Sequence, residues 1–230
     1  MSGYKILVHM DPHYSRALEG LGVMVSDEKD FFRNPKEYVL VLFTGGADVS
    51  PHLYGETSPK GLCYTNPSRD MFEMPIFEHA LKNNIKMTGI CRGSQFANVM
   101  SGGRMMHDIT NHAGGLHEVE MLNGDVITTN STHHQMIIPP IDGYVLGWSK
   151  TALSRHYIGD KDEAVEWNRP ETEIVFVPRT KFCGVQWHPE SMSKDSDGYI
   201  YYHRLINDLI SMDINEFSDR YLLSKELEKT

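Results

Sequence analysis

Two short blocks of this sequence hold a cysteine, a histidine and a glutamate that could act together in catalysis. The first block is Gly89-Ile90-Cys91-Arg92-Gly93, and the second is Gln186-Trp187-His188-Pro189-Glu190. A thiol attacks an acyl carbon as the thiolate, which a neighbouring imidazole stabilises, and a carboxylate beside the imidazole fixes its tautomer. The two blocks therefore predict acyl transfer through Cys91, with His188 as the base and Glu190 as the group that orients it.

The surroundings of Cys91 are typical of an exposed nucleophile. An apolar strand pattern at 85–90 precedes it, and a helical pattern begins at Gly93. Gly89 and Gly93 have no side chain to obstruct a sharp turn between the two elements. Such a turn would place the sulfur at the carboxyl end of a sheet and at a helix N-terminus, where the thiolate is favoured. Taken alone, the block is equally compatible with a buried and unreactive cysteine.

A pair of glycines could supply the second part of such a site. Gly45 and Gly46 follow an apolar strand pattern at 38–43. A turn of this kind exposes backbone N–H groups that can form half of an oxyanion hole, and the N–H of Arg92 could form the other half. An ordinary turn is the alternative interpretation. In the same way, the block around His188 would on its own describe a solvated turn.

The remaining cysteines and the histidines give no second site. Cys183 lies in a strand pattern that favours core packing, and Cys63 lies in a turn-rich segment with no assigned role. Three cysteines at irregular spacing form neither a disulfide framework nor a zinc motif, which indicates reduced thiols. Five of the twelve histidines fall in one stretch without the spacing of a zinc site, so we expect no metal. They are His107, His112, His117, His133 and His134.

Composition excludes several classes of protein. The chain has 230 residues and a formal net charge of −9, without a block of lysine and arginine, which argues against nucleic-acid binding. No apolar run approaches the roughly 18 residues that a membrane span requires. The N-terminal residues lack the features of a signal peptide, so a cytoplasmic protein is the expectation. We expect residues 1–230 to form a single domain, with a loosely packed charged tail from about residue 217.

Strand and helix patterns alternate through the first half of the chain. This order predicts an α/β fold with an open, mostly parallel central sheet flanked by helices. Strands are predicted at 4–9, 38–43 and 85–90, and helices at 15–19, 70–83 and 93–100. The helix at 70–83 is expected to be capped by Ser68 or Asp70. Its expected inner face is formed by Met71, Met74, Phe77, Ala80 and Leu81.

The pattern changes after Val119. Short strand patterns at 119–122, 125–129, 144–148 and 173–177 are separated by turns, and we expect antiparallel additions to the sheet. A final helix is predicted at 199–212. Its expected inner face is formed by Ile200, Leu205, Leu209 and Ile210.

These blocks together resemble the class I glutamine amidotransferase superfamily and, within it, the γ-glutamyl hydrolase branch known as peptidase C26. The matching segments are 45–56, 69–73, 89–95 with 98–99 and 102–103, 130–135, 163–164 and 184–190. The Cys-Arg-Gly elbow and the Pro-His-Leu-Tyr-Gly-Glu segment favour the γ-glutamyl hydrolase branch. Residues 149–173 match little, so the amine that leaves the substrate is not specified.

The resemblance implies a role for each of nine residues. The implied catalytic triad is Cys91, His188 and Glu190, and the implied oxyanion hole is formed by the backbone at Gly46 and Arg92. The residues implied to hold the glutamyl group are Gly45, Gln95, Ser131 and His133. The resemblance implies a small-molecule substrate, glutamine or a γ-glutamyl amide, and no metal or organic cofactor.

Three functions remain open at this level. The first is a hydrolase that acts alone on γ-glutamyl amides. The second is a glutaminase subunit that delivers ammonia to a separate synthetase chain, because this sequence has no P-loop of its own. The third is a non-catalytic binding protein with the same fold. Since all three triad positions are filled, the sequence favours an enzyme.

Overall fold

The computed structural model describes residues 3–222, which form thirteen strands and five α-helices. The strands are β1 (Lys5–Val8), β2 (Val23–Val25), β3 (Tyr38–Phe43), β4 (Lys86–Ile90), β5 (Arg104–Met106), β6 (Asp108–Ile109), β7 (Leu116–Met121), β8 (Val126–Asn130), β9 (Met136–Ile138), β10 (Tyr144–Ser149), β11 (Tyr157–Ile158), β12 (Thr172–Val177) and β13 (Phe182–Val185). The helices are α1 (Glu28–Arg33), α2 (Pro67–Lys82), α3 (Arg92–Met100), α4 (Asp197–Ser211) and α5 (Ile214–Leu222). None of these helices has the length and apolar character needed to cross a bilayer.

Nine of the strands form one central sheet in the order β2-β1-β3-β4-β13-β12-β10-β7-β8. The first five strands of this order are mutually parallel. The last four continue the sheet by antiparallel pairing. The predicted α/β class, with a mostly parallel sheet and antiparallel additions, is therefore confirmed.

Both faces of the parallel half are covered, which explains the nearly continuous apolar sequence of its strands. Successive side chains of a strand point to opposite faces. Leu40 and Leu42 of β3 accordingly join a core cluster with α4 and α5. Val41 and Phe43 join a second cluster with α2 and α3. The sheet is thus the middle layer of three.

The inner face of α2 differs from the prediction. Met71 and Leu81 are 72% and 43% exposed, whereas the charged side chains of Asp70 and Glu73 are buried. Asn66, rather than Ser68 or Asp70, caps the helix by accepting a hydrogen bond from the Arg69 N–H. The spacing of apolar residues does not predict this face correctly, because the buried face of α2 carries charged side chains that bind the arginines described below.

The C-terminal region also differs from the prediction. Ile200 of α4 is 52% exposed, although Leu205 and Leu209 are buried as predicted. The helix is followed by α5, in which Phe217 is fully buried against Phe176 of β12, with ring centroids 4.9 Å apart. The expectation of a loose tail from residue 217 is therefore wrong for 217–222. Residues 223–230 lie outside the described residues.

Candidate active site

Cys91 lies in the sharp turn between β4 and α3, with φ 51° and ψ −116°. A left-handed φ is costly for a residue with a side chain, so the surroundings must impose it. The Cys91 N–H donates to the Val185 carbonyl at 2.9 Å, and the Cys91 carbonyl accepts from the Gln95 N–H at 3.1 Å. These bonds to β13 and to the first turn of α3 fix the backbone that carries the sulfur.

The glycines that flank Cys91 are required by close backbone contacts. A Cβ at Gly93 would lie 2.0 Å from the carbonyl oxygen of Phe43 in β3. A Cβ at Gly89 would lie 2.4 Å from the backbone of Gly93 and Ser94. Side chains at these positions would separate the start of α3 from the sheet. The predicted tight strand-to-helix turn is therefore present.

His188 follows β13, which is the parallel neighbour of β4. The register pairs Ile90 with Val185, so Cys91 and His188 both lie just beyond the carboxyl ends of adjacent strands. Glu190 is 2% exposed, and its Oε1 lies 2.6 Å from His188 Nδ1. A carboxylate can only accept this hydrogen bond, so Nδ1 carries the proton and Nε2 is the nitrogen available for chemistry.

The surroundings of His188 favour its protonated form. Burial disfavours an imidazolium, but the interactions with Cys91 and Glu190 outweigh this cost and raise the pKa of His188 from 6.5 to about 10. Nε2 makes no well-aligned hydrogen bond with any of the described residues, as is common for catalytic groups without substrate. The ring can therefore exchange a proton with a group beside the sulfur.

Asn130, at the end of β8, holds His188 in place. Its amide donates to the His188 carbonyl at 3.0 Å, and its side-chain oxygen accepts from the His188 N–H at 2.8 Å. The two bonds fix the peptide groups on both sides of the imidazole. No role for Asn130 was predicted from the sequence, although its position directly before Ser131 in the matched segment was a signal.

The loop after β3 brings Gly45 and Gly46 to the same place. A Cβ at Gly45 would lie 2.3 Å from the Tyr14 hydroxyl and 3.1 Å from Cε1 of His188. Gly46 has φ 146°, and a Cβ there would lie 2.1 Å from the guanidinium of Arg69. This loop can approach the imidazole and the arginine only because both residues are glycine.

Two buried arginines bind the carbonyl groups of this loop. Arg69 donates to the carbonyls of Thr44 and Gly45, each at 2.7 Å. Arg92 donates from Nε to the carbonyl of Ala47 at 3.1 Å. Burial and the charge of Arg69 lower the pKa of Arg92 to about 9, so it remains a cation at neutral pH.

Two buried carboxylates of α2 balance these arginines. Glu73 accepts from Arg69 Nε at 3.0 Å and forms an ion pair with Arg92. Asp70 pairs with Arg92 and accepts a 2.5 Å hydrogen bond from Ser50 Oγ. Sequence reasoning missed this network, although charges at positions 69, 70 and 73 of one helix share a face.

Three residues predicted to bind substrate have intramolecular partners. Gln95 donates to the Gln135 carbonyl at 3.5 Å, and Ser131 donates from Oγ to the His112 carbonyl. The ring of His133 lies 2.9 Å from the Gln135 carbonyl through Nδ1. The loop at 131–135 therefore lies beside α3, and the side chains of Ser131, His133 and Gln135 are directed into the protein, whereas Thr132 is exposed.

The other two cysteines differ in burial. Cys183 is fully buried in β13, as predicted for a core residue. Cys63 is half-buried, and its sulfur accepts a hydrogen bond of 3.2 Å from the Gln135 amide. Cys63 also lies near a histidine paired with a carboxylate, His107 with Asp162, but only Cys91 among the described cysteines combines such a neighbour with a strand-to-helix turn.

A family model places this arrangement among known proteins. The model of peptidase C26 matches residues 23–190, which include Cys91, His188 and Glu190. The chain belongs to the peptidase C26 family. The branch inferred from the sequence is thereby confirmed, and hydrolase activity is what this family name indicates.

Two relatives extend the comparison of this C26 family member. The Lactococcus lactis protein YvdE, whose name describes it as glutamine amidotransferase-like, is 32% identical over 185 residues, covering 70% of this chain and 71% of that protein. A γ-glutamyl-γ-aminobutyrate hydrolase of Escherichia coli is 28% identical over 173 residues, covering 65% of this chain and 62% of that enzyme. The alignments thus span about two thirds of each relative.

A solved structure shares the fold. A glutamine amidotransferase from Thermotoga maritima superimposes with a TM-score of 0.57 at 17% identity, covering 99% of this chain and 94% of that one. Identity this low shows a common fold and nothing more. The predicted class I glutamine amidotransferase-like fold is confirmed.

Proposed function

We propose that this protein hydrolyses the γ-amide of glutamine or of a γ-glutamyl amine through a thioester on Cys91. The observation that supports this most directly is the position of Cys91 in a strained elbow, beside a histidine whose far nitrogen lies 2.6 Å from a buried carboxylate. Membership of the C26 family supports a hydrolase. Every group that the reaction needs comes from this chain, without a metal or a cofactor in the reaction.

The first half of the proposed reaction forms the thioester. The Cys91 thiolate attacks the γ-carbonyl carbon, and a C–S bond forms while the carbonyl oxygen becomes an oxyanion. The N–H groups of Gly46 and Arg92 donate to that oxygen, each contributing on the order of 10²–10³ in rate. The N–H groups in the first turn of a helix lack intrahelical acceptors, which suits Arg92 for this role. Imidazolium His188 protonates the leaving nitrogen, and the C–N bond breaks.

The second half releases glutamate. His188, now neutral, removes a proton from a water molecule, and the hydroxide attacks the thioester carbon. The C–S bond breaks, the thiolate of Cys91 returns, and His188 is again an imidazolium. Glu190 stabilises this cation through Nδ1 during both steps. Ammonia or an amine leaves in the first half-reaction and glutamate in the second.

The glutamyl group would bind along the loop at 131–133 and at Gly45 and Gln95. Because the side chains of Ser131 and His133 bond within the protein, we propose that this loop binds through its main-chain N–H and C=O groups. Gln95 lies in the first turns of α3 and can redirect its amide toward an α-carboxylate. We also infer that the chain acts as one domain, since one sheet contains strands from both halves of the sequence.

Replacement of the nucleophile tests the proposal. Cys91→Ser should reduce glutamate release from glutamine and from a panel of γ-glutamyl amines to the level of the blank, because an alkoxide does not form at this position. The folded state, followed by circular dichroism, should be retained. Cys63→Ser is the matched control, since this half-buried cysteine lies outside the proposed reaction, and it should keep wild-type turnover.

Two results would contradict the proposal. Turnover in Cys91→Ser would exclude the thioester. If the wild-type protein binds glutamine without releasing glutamate, it is a non-catalytic binding protein and not a hydrolase. Turnover that appears only after a synthetase chain is added would instead identify a glutaminase subunit.

A further inference from the structure

Three histidines surround one buried glutamate in the antiparallel half of the fold. Glu173 of β12 is fully buried. Its Oε1 lies 3.4 Å from His112 Nδ1, 3.0 Å from His117 Nε2 and 3.4 Å from His133 Nε2. The histidines come from the loop before β7, from β7 and from the loop after β8. Nothing in the thioester mechanism requires them.

Hydrogen bonds fix the tautomers of two of these histidines. His112 Nε2 lies 3.0 Å from a Glu171 carboxylate oxygen, and His133 Nδ1 lies 2.9 Å from the Gln135 carbonyl. Both partners can only accept, so these nitrogens carry the protons. In the neutral rings the lone pairs are then on His112 Nδ1 and His133 Nε2. Both lone pairs face the carboxylate of Glu173.

The cluster of three histidines around Glu173 requires a positive charge beside the carboxylate. His112 Nδ1, His133 Nε2 and Glu173 Oε2 are buried and have no hydrogen-bond partner among the described residues. Within residues 3–222, neither Glu171 nor Glu173 pairs with a lysine or an arginine. Glu171 accepts further hydrogen bonds from the N–H groups of Leu153 and Ser154 and from the Tyr157 hydroxyl. The Glu173 carboxylate instead faces the three imidazoles, and a buried carboxylate without compensation is strongly unfavourable. Either additional protons on the imidazoles or a bound cation must supply the charge.

We propose that His112, His133 and Glu173 bind a zinc ion. Ligand atoms about 2.0–2.1 Å from a tetrahedral zinc lie about 3.4 Å from one another. The two nitrogens lie 3.4 Å from Glu173 Oε1, and the ligand atoms of the three residues all lie within 4.8 Å of one another. Two imidazoles and a carboxylate suit zinc better than calcium or magnesium, which prefer oxygen ligands.

The surrounding groups match those of a metal centre. Metal-binding histidines donate their other ring N–H to a carboxylate or a carbonyl, as His112 does to Glu171 and His133 does to Gln135. His117 orients the Glu173 carboxylate through its 3.0 Å hydrogen bond. The charge of a divalent cation is balanced by Glu171 and Glu173.

The zinc would have a structural role. Ser131 donates to the His112 carbonyl, and its neighbour Asn130 holds His188 by two hydrogen bonds. A metal bound to His112 and His133 would therefore fix the segment that positions the imidazole. It takes no part in the proposed proton transfers.

A second cluster provides the control. Cys63, His107 and Asp162 also bring possible ligand atoms within 4.8 Å of one another. Both oxygens of the Asp162 carboxylate already accept hydrogen bonds, from Ser58 Oγ and from the Lys60 N–H, whereas Oε2 of Glu173 has no donor among the described residues. A cation there would have to displace these donors, so this cluster is expected to bind no zinc.

The test measures metal binding to the full chain in the Cys91→Ser background, which removes the nucleophile as an alternative thiolate ligand. Protein stripped with a chelator is titrated with ZnCl₂ by calorimetry, and the bound metal is counted by mass spectrometry. We expect one zinc per chain, a higher Tm with zinc, and the visible absorption of tetrahedral Co²⁺ after substitution with CoCl₂. His107→Asn should leave all three results unchanged.

Variants of the proposed ligands identify the site. His133→Asn should abolish stoichiometric binding, and the milder Glu171→Gln should weaken it by about 10–100-fold. Absence of zinc binding by the folded Cys91→Ser protein would overturn the proposal and assign the charge to protons on the imidazoles. Binding retained in His133→Asn but lost in His107→Asn would place the metal at the other cluster. Neither result would affect the thioester proposal, which Cys91→Ser tests separately.

Discussion

At the scale of single residues, the proposed chemistry depends on the imidazole of His188 and on its two neighbours, Cys91 and Glu190. The positions of Cys91, His188 and Glu190 could be predicted because the residue types and their placement after apolar strands are distinctive. Asn130 lies in a segment that the family resemblance matched, but its hydrogen bonds to His188 could not be predicted because they connect segments far apart in sequence.

The raised pKa of His188 predicts a particular pH dependence. With a pKa of about 10 in the folded protein and 6.5 ordinarily, the imidazolium is retained through neutral pH. Its stabilising interactions are fully present below pH 6.5 and are lost as the pH rises through about 10. Turnover should fall over the same alkaline range, because the proton donor is lost.

Glu190→Gln tests the origin of this shift. Without the carboxylate, the pKa of His188 should fall, so the alkaline limb of turnover should move to lower pH. We expect kcat to decrease by about 10²-fold or more because the ring loses the group that orients it. NMR titration of the imidazole and the pH profile of kcat should move together. An unchanged titration would show that Glu190 does not hold the proton on His188.

At the scale of elements, strand and helix patterns predicted most of the architecture. A nearly continuous apolar run identified β3, a strand pattern before Cys91 identified β4, and the change of pattern after Val119 identified the antiparallel strands. The predicted inner face of α2 was wrong because the spacing of apolar residues gives no sign that Asp70 and Glu73 are buried and paired with arginines. The histidines around Glu173 lacked a zinc motif for a related reason, since three separate segments carry them.

The contact between α3 and β3 predicts an intolerance to any side chain at Gly93. Gly93→Ala places a Cβ 2.0 Å from the Phe43 carbonyl oxygen, so α3 must move away from the sheet. We expect a large loss of unfolding free energy in urea together with loss of turnover. Gly55→Ala is the control, because its Cβ meets no atom within 4 Å and only the left-handed φ of 75° is unfavourable.

The two glycine variants should differ clearly. Gly55→Ala should lower the unfolding free energy by about 1–2 kcal/mol, the cost of a left-handed conformation. Equal stability of the Gly93→Ala and wild-type proteins would mean that the elbow is less tightly packed than described.

At the scale of the whole molecule, one sheet extends from the parallel half that carries Cys91 to the antiparallel half that carries Asn130 and Glu173. The sequence predicted this combination because strands alternate with helices in the first half and follow one another after Val119. The packing of α5 on the core was not predicted from the sequence. Most residues around Phe217 are polar or charged, so a single apolar side chain was a weak signal for a buried helix.

Phe217→Ala tests whether α5 belongs to the folded unit. Removing a fully buried ring that packs on Phe176 should lower the unfolding free energy by about 3–5 kcal/mol. At temperatures below the unfolding transition, kcat should not change, because the ring packs on Phe176 of β12 and not on the loops that carry Cys91 and His188. Ile200→Ala, at a position that is 52% exposed, should change stability by less than about 0.5 kcal/mol. Similar losses in both variants would argue against a core role for α5.

The hydrogen bond from Arg69 to the Gly45 carbonyl has a consequence for the next peptide group. A trans peptide holds its C=O and its N–H in one plane and pointing in opposite directions. With the Gly45 oxygen bound to the guanidinium at 2.7 Å, the Gly46 N–H is turned away from the arginine before any ligand arrives. In the proposed mechanism, Arg69 would thereby preorganise the Gly46 N–H as an oxyanion donor without touching the reacting carbonyl.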